Sequence, residues 1–276
     1  MQHLNRQAAP FDQALWGAIE EAAVHAAREM LTARRFLDVE GPFGVGFTTV
    51  EVGPDSYLRQ ATEDSAAVLG GRAIPVPMIQ QRFDLSIRRL AAAQDIGQPL
   101  DLAVVEDAAE AVAKREEEMI YHGLAEIGLY GLLNAPAHLE AEAGELDGLQ
   151  AMLEGVLAAV NRLDDAGYRG PYALVLSPHL YNGAFRRYEH TDMLQVQHLT
   201  RICQRNVHKA PIEGAAVIDP RVDRLLIGQD LRAGFVSQDG VHYQLYLRES
   251  LVLQLDSPDA VCVIASRSAQ PRAAKR

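Results

Sequence analysis

The sequence predicts an α+β protein, and three observations carry that prediction. Apolar residues recur at helical spacing in two long stretches, one beginning at Asp12 and the other at about Leu102. Helical and strand patterns alternate after Leu146, and strand patterns predominate after Gly214. The chain has 276 residues, of which 48% are hydrophobic, so it is long enough for one large domain or two smaller ones.

The first predicted element is an amphipathic helix. Asp12 is a suitable N-cap, and the helical pattern continues to about Arg35 before Gly41-Pro42 interrupts it. Residues 43–83 have the composition of strands and turns. Within them, the stretch Asp55–Ser65 contains little that a core could bury, and we therefore predict an exposed arm rather than a core hairpin.

Two further helices and a connecting segment follow. We predict a short helix over residues 84–96 that ends at Gly97, and then the longest helix, over residues 102–127. The charged run Lys114–Glu117 is predicted to lie mostly opposite the apolar stripe of this long helix. Residues 134–145 are rich in Ala and Glu, which predicts a polar link.

The second half of the chain is predicted to contain shorter elements. Helices are predicted over residues 146–165, 177–188 and 192–203. Strands are predicted over residues 172–176, 216–218, 225–227, 234–236, 241–255 and 261–265. Residues 266–276 are basic, and we predict a disordered tail there.

Composition excludes several classes of function. The formal net charge of −11 gives an acidic surface that repels phosphate backbones, so we expect no nucleic-acid partner. Cys203 and Cys262 form no CxxC pair, which argues against a disulfide scaffold or zinc site and favours a reducing cytoplasm. No apolar run reaches membrane-spanning length and no signal-peptide pattern is visible, so we expect a soluble, cytoplasmic protein without a membrane partner.

The motifs that could carry chemistry are weak. Glu118, His122 and Glu126 have i, i+4, i+8 spacing, but the ferritin-like metal pattern is Glu-x-x-His, so we favour structural or salt-bridging roles over a metal site. The glycines in Gly41–Gly46 lack the preceding strand and the following Lys-Ser/Thr of a phosphate-binding loop. We therefore predict no enzyme activity, no catalytic residue and no metal ligand.

Five segments, in order along the chain, carry a resemblance to a known family. They are Leu4-Asn5-Arg6 with Ala9-Pro10 and Trp16; Arg34–Gly44; Glu118–Gly123 with Gly131-Leu132-Leu133; Gly170–Ser177; and Leu226–Leu231 with Ser257–Ala260. Each segment alone is weak, but all five together resemble the family 1 encapsulins, the linocin- or bacteriocin-type shell proteins. The resemblance covers nearly the whole chain.

The resemblance implies the tailed-phage major capsid fold, which has a peripheral domain, an axial domain and an extended β arm. The implied boundaries on this chain are 1–49 for the N-terminal helix and the start of the peripheral domain, 50–76 for the arm, 77–134 for the peripheral domain with its spine helix, 135–225 for the axial domain, 226–265 for the closing peripheral strands and 266–276 for the tail.

The resemblance also implies a function. Encapsulins self-assemble from identical subunits, sixty or a larger icosahedral number, into a compartment that encloses a peroxidase or ferritin-like enzyme. The cargo, which supplies any catalysis linked to iron storage or oxidative stress, is held by its C-terminal targeting peptide. Some members bind flavin near an aromatic residue, but the matching position here is Ile87. We therefore assign no cofactor.

The first candidate site is a cargo groove. The resemblance implies that the targeting peptide lies against the N-terminal helix and the peripheral sheet, where apolar residues anchor it and charged residues bond its backbone. The candidate residues are Met30, Arg34, Asp38, Leu231 and Leu253. The alternative is ordinary core packing for Met30 and Leu253 and an ordinary i, i+4 pair for Arg34 and Asp38.

The second candidate site is a pore at the five-fold axis. The resemblance places it on a loop between two axial helices, which consists of Arg187, Tyr188, Glu189, His190, Thr191 and Asp192. Repeated around an axis, these side chains would form a charged ring that attracts metal cations or small polar solutes. The alternative is a solvated loop far from any axis.

Two other functions stay open at the level of sequence. A phage or prophage capsid subunit would have the same fold. It would be encoded beside portal, terminase and protease genes and often carries a cleaved N-terminal scaffold segment, for which we expect no room because the first helix begins within a dozen residues. A metalloenzyme that uses Glu118, His122 and Glu126 is the other alternative.

Overall fold

The computed structural model describes residues 2–144, 146, 149–187, 193–222 and 224–266. Its described residues fall into two compact units. Unit 1 draws on residues 1–31, 39–116 and 225–252, and unit 2 on residues 32–38, 117–224 and 253–276. None of the helices in the described part of the chain is long and apolar enough to cross a membrane.

Both helices and strands are well represented among the described residues. The α-helices are α1 (Gln13–Met30), α2 (Ile87–Ile96), α3 (Ala103–His122), α4 (Leu149–Asp165), α5 (Pro178–Gly183) and α6 (Gln195–Cys203). The strands are β1 (Asp38–Glu40), β2 (Thr49–Arg59), β3 (Val68–Pro75), β4 (Met78–Ser86), β5 (Leu139–Ala143), β6 (Tyr172–Leu176), β7 (Gln204–Lys209), β8 (Ala215–Ile218), β9 (Arg224–Gln238), β10 (His242–Leu253) and β11 (Val261–Ser266).

A four-stranded sheet with the order β1-β9-β10-β4 organises unit 1. β10 and β4 are antiparallel, with the buried pair Leu245 and Phe83 directly opposite each other. After β1 the chain stays beside β9, because the N–H of Phe43 donates to the carbonyl of Ile227 at 2.9 Å. Gly41 permits this close approach: its φ is +119°, and a Cβ there would overlap the carbonyl oxygen of Ile227.

A separate two-stranded sheet, β2 paired with antiparallel β3, forms a long hairpin in unit 1. Its side chains are mostly exposed, and the predicted exposure of Asp55–Ser65 is confirmed. Four of the exposed side chains are large and apolar: Tyr57, Leu58, Val68 and Leu69 are 47–64% exposed. An isolated two-stranded hairpin with no covered face is marginally stable in water.

Unit 2 contains a five-stranded sheet with the order β5-β11-β8-β6-β7. All five residues of β6 are buried, as expected for a central strand covered on both faces. The core beside this sheet includes Met152, Val156 and Leu163 from α4 together with Leu199 from α6. The apolar face of α4 packs against the sheet, and its burial stabilises unit 2.

Several predicted boundaries are wrong. The first helix ends at Met30 rather than Arg35, although Asp12 is confirmed as its N-cap, accepting from the N–H of Leu15 at 2.8 Å. The long helix ends at His122 rather than residue 127, because Gly123 adopts φ +72° and no side chain would fit against the backbone of Leu129 there. The end of the short helix at Gly97 is confirmed.

Three strands, β1, β5 and β7, escaped prediction, and two predicted strands are one. β5 lies in the stretch predicted as a polar link, with Ala141 and Ala143 buried and Glu140 and Glu142 exposed. β7 follows α6 directly and pairs in parallel with β6. Strands predicted separately over residues 225–227 and 234–236 form the continuous strand β9.

Candidate functional site

The main candidate site in unit 1 is a pocket of about 780 Å³, which we call the N-terminal pocket. It is bounded by the segment that precedes α1, by the first half of α1 and by β9. Its apolar lining is Leu4, Phe11, Trp16 and Val45, and its polar lining includes Arg6, Glu20, Gln229 and Arg232. The volume is typical of sites that bind small molecules or short peptide segments.

The aromatic wall of the pocket is fixed by local sequence. α1 begins directly after its cap, Asp12, and the four-residue spacing of Trp16 and Glu20 places them about one helical turn apart on the same face. The ring of Phe11 lies 5.2 Å from that of Trp16 and 4.9 Å from that of Tyr243 on β10. Because Trp16 is only 6% exposed, this wall is packed rather than mobile at the surface.

The charged wall is a carboxylate shared by two arginines. Glu20 accepts hydrogen bonds from the Arg6 guanidinium and, at 3.0 Å, from Nη1 of Arg232. Arg6 also donates through Nε to the carbonyl of Ala233 at 2.9 Å, and its guanidinium lies 4.6 Å from the centre of the Trp16 ring. Two cations for one anion leave this wall with an excess of positive charge.

A second polar cluster, in unit 2, holds the chain just beyond the first helix. The buried carboxylate of Glu117 accepts from the N–H groups of Thr32 at 2.9 Å and Ala33 at 3.0 Å, and from the Thr32 hydroxyl. The hydroxyls of Thr32 and Tyr121 are 3.0 Å apart. Burial, followed by the charge of Glu117, raises the pKa of Tyr121, so its phenol stays neutral.

The prediction that Lys114–Glu117 lies mostly opposite the buried side of the long helix is wrong for two of its residues. Glu116 and Glu117 are 0% and 1% exposed. Helical spacing indicates one apolar stripe, but it cannot predict that a distant segment supplies N–H donors to a carboxylate outside that stripe. The residues after α1 supply such donors to Glu117, which is why this carboxylate can be buried.

The predicted cargo residues Met30, Arg34 and Asp38 lie on three different elements, and Leu231 and Leu253 lie on the sheet. Met30 is the last residue of α1 and is exposed, Arg34 lies half-buried in a 3₁₀ turn, and Asp38 is exposed at the start of β1. The four-residue helical spacing assumed for these three is therefore wrong. Leu231 in β9 and Leu253 at the end of β10 are buried.

None of the five predicted cargo residues lines the N-terminal pocket, but Leu231 lies on β9 between Gln229 and Arg232, which do. Trp16 and Arg6 belong to the segments that carry the resemblance, but the sequence assigns neither of them to a site. The sequence feature that could have indicated this pocket is the pair of aromatic residues, Phe11 and Trp16, on either side of a capped helix start.

Of the predicted pore residues, only Arg187 lies within the described part of the chain. It is exposed and forms an isolated antiparallel bridge with Leu194, so these two positions lie side by side. Tyr188, Glu189, His190, Thr191 and Asp192 lie outside the described residues, and the pore stays a prediction.

The proposed i, i+4, i+8 arrangement of Glu118, His122 and Glu126 does not exist. α3 ends at His122, and Glu126 lies in a separate 3₁₀ turn, so the three side chains are not on one helix. Among the described residues, no group of three or more His, Cys, Asp or Glu side chains could hold a metal ion. Ile87, at the position compared with flavin-binding relatives, is the first residue of α2.

The fold is that of capsid-forming proteins. The chain is similar to the virus-like particle protein of Pyrococcus furiosus, with a TM-score of 0.71 and 18% identity over 91% of this chain and 99% of that chain. It is also similar to the capsid protein of Myoviridae phage XM1, with a TM-score of 0.58 and 18% identity over 85% and 90% of the two chains. At such low identity these likenesses establish the fold alone.

Sequence similarity gives the family. Residues 1–252 match the family Linocin_M18, described as "Encapsulating protein for peroxidase". The chain is 31% identical to a type 1 encapsulin shell protein of Rhodospirillum rubrum, covering 94% of this chain and 95% of the relative. It is 28% identical to the type 1 encapsulin shell protein EncA of Myxococcus xanthus, covering 95% and 96%. The chain belongs to the encapsulin family.

Proposed function

We propose that the chain is a structural shell protein that self-assembles into a closed icosahedral compartment around a cargo enzyme. The observation that carries the proposal is the family match over residues 1–252, joined to a capsid fold. In this role the subunit supplies a wall, and catalysis belongs to the enclosed peroxidase or ferritin-like enzyme. The compartment is cytoplasmic, and its copy number is sixty or a larger icosahedral number.

The exposed hairpin of β2 and β3 supports assembly. Tyr57, Leu58, Val68 and Leu69 leave large apolar surfaces in contact with water in the single chain. Covering apolar surface contributes roughly 25 cal/mol per Å², so a neighbouring subunit that lies on the hairpin gains stability from it. We assign residues 50–76 as the arm between subunits, residues 135–225 as the axial domain and the remaining described segments as the peripheral domain.

The N-terminal pocket supports cargo docking. Phe11 and Trp16 provide an apolar wall for a Leu or Ile side chain of a targeting peptide. Gln7, Gln13 and Gln229 each carry a donor and an acceptor, the combination that a peptide backbone requires. We propose this pocket as the docking site, and we keep Met30, Arg34, Asp38, Leu231 and Leu253 as candidates for further contacts with the same peptide.

The pore proposal concerns residues 187–192. Its support is the resemblance together with the bridge between Arg187 and Leu194, which brings the first residue of the segment next to a residue just beyond its end. A ring of Glu189, His190 and Asp192 around an axis would attract cations and admit small polar solutes.

A phage capsid subunit remains the second candidate, because phage capsid proteins share the fold. The family match and the shell-protein relatives favour the compartment. Electron microscopy of the purified protein tests both readings at once. We expect closed particles of uniform diameter that enclose a fluorescent protein carrying a Gly/Leu/Ile-rich C-terminal tail. Only monomers or small rings would exclude a shell, and closed particles that never take up the tagged protein would favour the capsid.

A further inference from the structure

The segment Gln2–Pro10, which we call the N-terminal strap, lies beside β9 and β10 of the unit 1 sheet. It contains two 3₁₀ turns, at Gln2–Leu4 and Arg6–Ala8. Side chains supply the hydrogen bonds that attach it to the sheet: Arg248 donates to the carbonyl of His3 at 3.0 Å, and Asn5 donates to the carbonyl of Phe235 at 3.5 Å. Such a segment opens at a lower free-energy cost than a strand within a sheet.

Arg6 joins the strap to both α1 and β9 at the N-terminal pocket. It donates to the carbonyl of Ala233 on β9, pairs with Glu20 on α1 and stacks on Trp16. Its side chain is only 15% exposed. Arg6 therefore adds an ion pair, a hydrogen bond and a ring contact to the bonds that already hold His3 and Asn5.

Next to the strap, two buried donors of the sheet lack an acceptor within the described part of the chain. They are Nε2 of Gln229 and Nε of Arg248. Nη2 of Arg248 lies 3.5 Å from Oε1 of Gln229. An arginine side chain has no acceptor atom, so it cannot pair with the amide nitrogen of Gln229. That nitrogen therefore needs an acceptor from another group. The closed strap accepts from Nη2 of Arg248 through the His3 carbonyl but not from these two nitrogens, and a buried donor without an acceptor costs free energy.

We propose that the strap is displaceable and that it regulates access to the N-terminal pocket. In the closed state it covers the surface around Gln229 and Arg248. In the open state an extended partner segment takes its place, its main-chain carbonyls accept from these donors, and its apolar side chain lies on Phe11 and Trp16. The inference rests on the proposed function, because the partner is the targeting peptide of the cargo.

If the strap must open before the peptide binds, the free energy needed to open the strap weakens the observed binding of the peptide. If only a fraction of subunits is open, the apparent dissociation constant exceeds the intrinsic one by the inverse of that fraction. Weakening the Arg6 contacts should therefore tighten peptide binding. A strap that only supports the site would behave in the opposite way, because its loss would damage the pocket.

Trp16 is the single tryptophan of the chain, so its fluorescence reports on this pocket alone. The test uses assembled shells of the full chain, Arg6→Gln and the control Arg82→Gln, which removes a charge from exposed β4 outside the pocket. The probe is a synthetic octapeptide with Leu and Ile anchors separated by Gly and Ser, titrated against Trp16 fluorescence. Acrylamide quenching and hydrogen exchange of residues 3–10 report on the strap itself.

We expect Arg6→Gln to increase acrylamide quenching of Trp16, to speed exchange in residues 3–10 but not in α1, and to lower the apparent dissociation constant about threefold to tenfold. Arg82→Gln should match the wild type. Unchanged quenching and exchange, or weaker peptide binding by Arg6→Gln, would overturn the proposal. Absence of binding to every variant would also overturn it, whereas shell formation, seen separately by electron microscopy, tests the proposed function.

Discussion

Thr32 and Glu117 are joined twice: the main-chain N–H of Thr32 lies 2.9 Å from Oε1 of Glu117, and the Thr32 hydroxyl donates to Oε2. Both residues are buried in unit 2. The pair fixes the chain at the point where the helical pattern breaks after α1. It also brings the half-buried Arg34, two residues later, into a defined position.

Replacing this carboxylate should destabilise the protein. Glu117→Gln keeps the shape but exchanges one acceptor oxygen for a donor, which faces the N–H and O–H groups of residues 32 and 33. We expect a loss of about 1–3 kcal/mol in the free energy of unfolding, with faster hydrogen exchange at residues 32–37. The control is Glu118→Gln on the exposed side of the same helix. Equal effects of the two substitutions would contradict the role of Glu117.

Asp219 predicts a pH dependence for unit 2. Its buried carboxylate accepts from Nε of Arg221 at 2.8 Å, from Nη2 of Arg221 at 2.6 Å and from the N–H of Gly170 at 3.3 Å. Burial alone raises the pKa of Asp219, but the hydrogen bonds and charge of Arg221 outweigh it and hold the pKa below its usual value. This stabilisation is present above the unfolded-state pKa and is lost as pH falls through the folded-state pKa.

Denaturant unfolding between pH 3 and pH 7 tests this dependence. Asp219→Asn should unfold at lower denaturant concentration than the wild type at pH 7, and the difference should shrink as the pH falls below about 4. Asp165→Asn, at an exposed position of the same unit, should change neither the denaturant concentration at which the protein unfolds nor its dependence on pH. A difference between Asp219→Asn and the wild type that stays constant across the range would show that the carboxylate charge contributes nothing.

Gly41 and Gly44 separate backbone strain from steric contact. Both have positive φ, but only at Gly41 would a Cβ meet another group, the carbonyl of Ile227. Gly44→Ala should cost about 1–2 kcal/mol through its φ alone. Gly41→Ala should cost more, because the chain must also move away from β9. Comparing the two unfolding midpoints checks the order, and a larger effect at Gly44 would be inconsistent with the described edge of the sheet.

The exposed hairpin predicts a variant that folds without assembling. Tyr57→Asp combined with Leu58→Asp places charges on surfaces that are 57% and 64% exposed in the single chain. Circular dichroism should match the wild type, since no core contact is lost, while size-exclusion chromatography should show small species instead of shells. Glu51→Gln, also exposed on β2, serves as the control. Normal shells formed by the double variant would remove the hairpin from the interface.

The sequence predicted those elements whose signals are local. The cap at Asp12, the helix stop at Gly97 and the apolar strand β6 follow from neighbouring residues and are confirmed. β5 was missed because Ala and Glu are poor strand formers, and only pairing with β11 makes Leu139–Ala143 a strand. The N-terminal pocket was missed because Glu20 and Arg232 are 212 residues apart in sequence, and periodicity carries no information about such pairs.

β11 occupies a place in the unit 2 sheet that has a consequence for biosynthesis. It is the last described strand, yet it lies between β5 and β8 rather than at an edge. Until residues 261–266 have left the ribosome, β5 has no neighbour in this sheet and one side of β8 is open. A nascent subunit therefore exposes strand edges whose main-chain N–H and C=O groups are unpaired and can pair with other chains. Translation must pass residue 266 before this part of the molecule can close.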